Sequence, residues 1–137
     1  MRVLFTSTPA YGHLQPMLPL AAALRAAGHE VAVAIAPQMC ARAADAGLVA
    51  LEAGRDVETW WPELEERNPE RPWERLRPED ILLWFIPHLF VDVGARAMLD
   101  GLAAQVERWR PDLLVYETYE LASPLVAAAA GIPAVHH

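Results

Sequence analysis

Residues 3–14, Val3-Leu4-Phe5-Thr6-Ser7-Thr8-Pro9-Ala10-Tyr11-Gly12-His13-Leu14, decide the fold. Val3 to Thr6 reads as a short buried strand, and Ser7 to Gly12 is a turn-forming run that closes it. A helix follows, in which Leu14, Leu18, Ala21, Ala22 and Leu24 keep a helical spacing. Pro16 is tolerable there because it lies in the first turn, and Gly28 stands where a helix stops. The next run, Glu30 to Ala36, carries Val31, Val33 and Ile35 almost without a polar break, as suits a strand covered on both faces.

The same alternation continues outward. Met39 to Ala46 is a second helix ended by Gly47, and Leu48 to Leu51 makes a third strand. Pro111-Asp112 leads into a fourth strand, Leu113 to Tyr116. Leu121 to Ala130 is a helix closed by Gly131, and Ile132-Pro133-Ala134-Val135 begins a fifth strand. Strands alternating with helices imply an α/β fold, a doubly wound parallel sheet with right-handed crossovers, in the usual order 3-2-1-4-5. Ligands of such sheets bind beyond the carboxyl ends of the strands. Two segments fall on that rim, Thr6 to His13 and Glu117 to Glu120.

Two stretches depart from this rhythm. Between Glu52 and Asp80, ten acids and five arginines supply −5 of the net charge of −7, with prolines at 62, 69, 72 and 78. The segment reads as a solvated loop with one short helix, although indole rings at Trp60, Trp61 and Trp73 usually seek a pocket or a lid role. From Ile81 to Trp109 a long helical pattern runs through Leu82, Phe85, Leu89, Val93 and Ala97, then Met98, Leu102 and Val106. Pro87 is expected to kink or split it.

Composition narrows the function. The chain's 137 residues suffice for one domain with a core of its own. All 11 cationic residues are arginine, so a P-loop and a Schiff-base lysine are excluded. The acidic balance favours small molecules or proteins over nucleic acid. One cysteine, Cys40, allows no internal disulfide and suits a reducing compartment. Arg25, Pro87 and Asp92 interrupt the apolar stretches, so no membrane span is expected. Met1 to Phe5 turns polar at Thr6, unlike an export signal, and the cytoplasm is the expected address.

The rim loop has only Gly12 where a dinucleotide fingerprint needs three glycines, which argues against a nicotinamide or flavin enzyme. It offers His13 instead. At the amino end of a helix the dipole disfavours imidazolium, so the ring is suited to accept a proton; equally, it could simply cap the helix. A histidine base needs an orienting carboxylate. Glu117, at the carboxyl end of the fourth strand beside the first, is placed for that, or for capping the next helix, with Glu120 competing for either role. Asp112 is not, since five strand residues at about 3.3 Å each put it roughly 16 Å away at the opposite edge.

The stretch from Gly12-His13-Leu14-Gln15-Pro16 to Ala21, followed by Leu24 and Gly28-His29-Glu30-Val31, resembles the amino-terminal signature of inverting glycosyltransferases of the two-domain GT-B fold. It is most similar to the actinobacterial enzymes that glycosylate macrolides and aromatic polyketides. Pro111 to Glu117, Pro124-Leu125 and Gly131 to Val135 resemble their later strand-helix-strand block. The resemblance implies that His13 deprotonates an acceptor hydroxyl, which attacks the anomeric carbon of a nucleotide-diphosphate sugar with inversion. A carboxylate, usually aspartate, supports the histidine, and Glu117 matches it with one extra methylene.

The family's middle segment lines the acceptor pocket. Trp60, Trp61, Trp84, Phe85, His88 and Phe90 are therefore expected acceptor contacts, together with Tyr11, Gly12 and Glu120 at the rim; Trp84 to Phe90 equally suit a helix core. No metal or other cofactor is implied, the nucleotide sugar being a donor substrate held mainly by a second, carboxyl-terminal domain. Nothing in residues 1–137 corresponds to that domain, so the chain reads as an incomplete acceptor-binding domain whose partners are a hydrophobic small molecule and a donor-binding domain or chain. The alternatives are a non-catalytic transferase-like module, which would bind a hydrophobic ligand or a catalytic partner, and a different nucleotide-binding α/β protein.

Overall fold

The computed structural model describes all residues, 1–137. Five parallel strands lie in the order β3-β2-β1-β4-β5: β1 Arg2–Thr6, β2 Glu30–Ile35, β3 Val49–Glu52, β4 Leu113–Tyr116 and β5 Ala134–His136. The expected order is the observed one. Side chains alternate between the faces of the sheet, and the sequence exploits both. Val3, Phe5, Val33 and Ile35 pack beneath Leu14, Met17 and Ala21, and against Met39 and Ala43. Leu4, Ala32, Ala34 and Leu114 point the other way, toward Met98, Leu102 and Val106 and toward Val126 and Ala127.

On the first face, α1 (Tyr11–Leu14) passes through one 3-10 turn at Gln15–Met17 into α2 (Leu18–Ala26). The helical winding thus begins at Tyr11, three residues before the apolar stripe starts. Pro16 sits in the tight turn, where its missing N–H is harmless. The helix α3 (Pro37–Asp45) completes this layer. On the second face lie α6 (Arg96–Trp109) and α7 (Ser123–Ala130).

The acidic middle is more ordered than a solvated loop. Between 3-10 turns at Val57–Thr59 and Pro72–Arg75 lies α4 (Trp60–Arg67), which buries Trp60 and Leu64 against Leu89 and Val93. Its outer side carries the charges, with Arg55 and Arg67 both paired to Glu63 and Arg71 to Glu65. Four large apolar side chains suffice for a small separate core, and proline spacing alone did not reveal it.

Pro87 neither breaks nor splits the long helix. The segment α5 (Pro78–Phe85) continues through a π-helical stretch, Ile86–Ala95, directly into α6. Proline lacks the N–H of the ordinary ladder and crowds the carbonyl four residues back; wider winding relieves both. The wider turn also explains the stripe: Leu89 and Val93 are four apart, Val93 and Met98 are five apart, and Met98, Leu102 and Val106 return to four. Unbroken, this 32-residue helix is long and apolar enough by composition to cross a membrane, contrary to the expectation from Pro87 and Asp92. Its inner stripe is packed on the sheet and on α4.

The alanines at 32 and 34 leave room for α6 to approach closely, and Gly101 completes the fit. A Cβ at Gly101 would lie 2.9 Å from the Gly54 nitrogen and 3.1 Å from the Ala53 Cα. Helix propensity alone would make Gly101→Ala stabilising by about 1 kcal/mol. Backbone atoms cannot step aside as a flexible side chain can, so we expect the opposite sign, a loss of about 1–3 kcal/mol in denaturant unfolding. A gain would mean that the helix can slide off the β3 exit.

Candidate active site

Parallel pairing of β1 with β4 sets Thr6 opposite Tyr116. The next residue on each chain therefore leaves the sheet at the same level, and the Glu117 N–H still donates to the Thr6 carbonyl. From that position the Glu117 carboxylate faces the loop after β1. Its Oε1 accepts from the Thr8 N–H at 3.0 Å, and its Oε2 accepts from the Tyr119 N–H at 2.9 Å. His13 Nδ1 lies 3.1 Å from Oε2. Asp112 sits at the opposite end of β4, where it accepts from the Arg2 N–H.

Burial opposes charge on Glu117, but the hydrogen bonds outweigh it. His13, the Tyr119 and Thr8 N–H groups and the nearby Thr8 hydroxyl together hold its pKa at about 2. An ionised carboxylate only accepts, so Nδ1 of the neutral ring must carry the proton. Nε2 is left as the basic atom, without a partner in the protein. The ring, partly open to solvent, is flanked by Tyr119 edge-on at 5.6 Å and by Phe90 at 6.4 Å between centroids. Phe90 and Tyr119 stack on each other at 4.6 Å.

Glu120 does not compete for His13. Its carboxylate accepts from the Thr6 hydroxyl at 2.9 Å and from the N–H groups of Ala122 and Ser123, so it caps α7 and ties it to β1. Burial dominates and raises its pKa.

The remaining sequence-derived candidates divide by position. Of the aromatic residues expected to contact an acceptor, Phe90 is brought to His13. Trp60 is buried beneath a narrow cleft whose walls include Thr8, Tyr119 and Glu120. Trp61, Trp84, Phe85 and His88 instead pack on one another: Trp61 meets Phe85 edge-on at 5.6 Å, and Trp84 stacks on His88 at 4.3 Å. Tyr11 is exposed beneath the Arg42 guanidinium, and Gly12 faces open space. Thr8 and Tyr119 were not singled out from the sequence, although both lie in the rim segments. No three His, Cys, Asp or Glu side chains converge on a metal position.

The family profile described as "Erythromycin biosynthesis protein CIII-like, N-terminal domain" matches residues 22–137. The chain belongs to this family. Among the family's relatives of this chain, L-demethylnoviosyl transferase of Streptomyces niveus is 41% identical over 140 residues, covering 100% of this chain and 34% of that protein. The 3-alpha-mycarosylerythronolide B desosaminyl transferase of Saccharopolyspora erythraea is 32% identical, covering 97% and 35%. Among solved structures, the glycosyltransferase SsfS6 of Streptomyces sp. SF2575 superposes with a TM-score of 0.82 at 36% identity, covering 99% of this chain and 38% of SsfS6. The same enzyme is also known complexed with thymidine diphosphate. These neighbours are GT-B glycosyltransferases, and the shared sheet order is that of their fold. The chain spans about a third of the length of the curated relatives it matches.

The two buried carboxyls give opposite pH signatures. Folding lowers the pKa of Glu117 from 4.5 to about 2, so its stabilising contribution is full above pH 4.5 and is lost as pH falls toward 2. Folding raises the pKa of Glu120, so its protonated form is favoured and that contribution is lost as pH rises past its ordinary value. In urea unfolding measured across this range, Glu117→Gln should flatten the acid-side fall in stability. Glu120→Gln should leave that acid limb in place and instead remove a separate fall in stability as pH rises above 4.5; identical curves for the two variants would contradict the assigned environments.

Proposed function

We propose that this domain binds the acceptor of an inverting sugar transferase and supplies its general base. The observation that carries the reading is the 3.1 Å contact between His13 Nδ1 and Glu117 Oε2, at the sheet edge where α/β folds bind ligands. Glu117 fixes the ring and its tautomer, and Nε2 accepts the acceptor's hydroxyl proton. The freed oxygen attacks the anomeric carbon of a nucleotide-diphosphate sugar from the face opposite the leaving group. The new glycosidic bond forms as the bond to the diphosphate breaks, which inverts the configuration. Imidazolium formed in this step is stabilised by the adjacent carboxylate.

Relatives' names support the substrate class. One is an aklavinone 7-beta-L-rhodosaminyltransferase, 32% identical to this chain, and another a 10-deoxymethynolide desosaminyltransferase, also 32% identical. A hydrophobic acceptor of this kind suits the apolar rings of Phe90 and Tyr119 beside His13. The donor is assigned to residues beyond this domain, in keeping with the third of the relatives' length that the chain spans.

In the chain joined to its donor-binding half, His13→Ala should lower turnover by about a hundredfold to ten-thousandfold, with acceptor affinity little changed. Glu117→Gln keeps the size and can still accept a hydrogen bond but loses the charge that favours imidazolium. Reduced turnover and an acid limb of the rate profile moved to lower pH are expected, whereas Asp112→Asn should move neither. Normal turnover in His13→Ala would reduce the histidine to a structural role.

The 137-residue chain by itself is expected to transfer no sugar from any nucleotide sugar. Product detected by mass spectrometry with the purified chain would place the donor site within these residues.

A further inference from the structure

Two of the buried polar side-chain atoms without a hydrogen-bond partner line one cleft at the rim, Nε1 of Trp60 and Oγ1 of Thr8. Each residue is only 4% exposed, and both line the same narrow cleft between the loops after β1 and β3 and the π-helical stretch. Unpaired buried groups of this kind are rare in folded proteins and call for an occupant. Several other polar groups of the cleft are already engaged. Ser7 donates to the Thr8 carbonyl, Glu120 is held by Thr6, Ala122 and Ser123, and Arg55 is paired with Glu63.

The position of Trp60 depends on a missing side chain. A Cβ at Gly94 would fall 2.7 Å from two carbons of the indole ring, so only glycine lets the ring lie against the helix there. Leu64, Leu89 and Val93 hold the ring from the sides. The cleft is therefore a built feature, and its interior space admits one water-sized group.

Resting on the acceptor-binding reading above, we propose that Trp60 Nε1 and Thr8 Oγ1 form a specificity subsite that receives a single neutral oxygen, hydroxyl or carbonyl, of the acceptor. The indole N–H only donates, so the incoming atom must accept. A threonine hydroxyl donates or accepts, so it serves either kind of oxygen. A cation is repelled by the N–H group. An anion would meet the Glu120 carboxyl with no free arginine to balance it. The Thr8 N–H binds Glu117, which binds His13, so an oxygen held here positions the acceptor relative to the base.

The test is a nuclear magnetic resonance titration of the ¹⁵N-labelled chain with 10-deoxymethynolide, the compound in the name of one relative. The Trp60 indole signal is assigned as the one lost in Trp60→Phe. A saturable downfield shift of that signal is expected, as is roughly tenfold weaker binding by Thr8→Val, a near-isosteric change. If other signals of the rim titrate while the Trp60 indole stays in place, the subsite is overturned and the acceptor-binding reading stands. Undiminished affinity in Thr8→Val removes Thr8 from the subsite and overturns the pair as proposed. If no signal moves, the acceptor-binding reading fails and the subsite with it.

Discussion

The register of β1 against β4 is the constraint on which the rest of the site depends. With Thr6 opposite Tyr116, the two chains leave the sheet at one level, and Glu117 faces the loop that carries Thr8 and His13. A slip of one residue would turn Leu4 and Leu114 to the wrong face and carry Glu117 away from the histidine. The two apolar layers hold the register, since Val3 and Phe5 face one set of helices while Leu4 and Leu114 face the other. Core packing thereby sets the geometry of the candidate site to within hydrogen-bond distance.

Charge at the site is governed by the same backbone. Glu117 is buried, which by itself would favour the neutral acid, yet two main-chain N–H groups and His13 hold it ionised. Three residues later Glu120 accepts comparable hydrogen bonds and has its pKa raised, because burial outweighs them and it has no histidine partner. Two like side chains, three residues apart in sequence, are thus divided between a charged partner of His13 and a structural cap. Environment separates them, as it does for paired carboxyls in acid–base sites generally.

The long helix shows how a local defect is absorbed into function. Pro87 forces wider winding from Ile86 to Ala95, and the altered phase turns Leu89 and Val93 toward α4 while Met98, Leu102 and Val106 face the sheet. One helix consequently serves two cores. It also presents Phe90 to His13 and Gly94 to Trp60, on the two sides of the rim.

Local chemistry in the sequence determined the α/β alternation, the strand order expected of it, the histidine after Gly12 and the acid at the end of β4. Those features rest on short-range rules: turn residues, apolar runs and the rise of a strand. Which acid serves His13 was open between Glu117 and Glu120, because residues three apart differ only in how the loop folds back. Tertiary structure decided it through the hydrogen bonds that engage Glu120 elsewhere. It also decided the fate of the aromatic residues, gathering Trp61, Trp84, Phe85 and His88 into one cluster and bringing only Phe90 to His13. The small core around Trp60 and the unbroken passage through Pro87 were invisible as well. The core depends on contacts between segments tens of residues apart, whose energies no local pattern records, and the passage on a wider winding that proline's usual helix-breaking rule does not foresee.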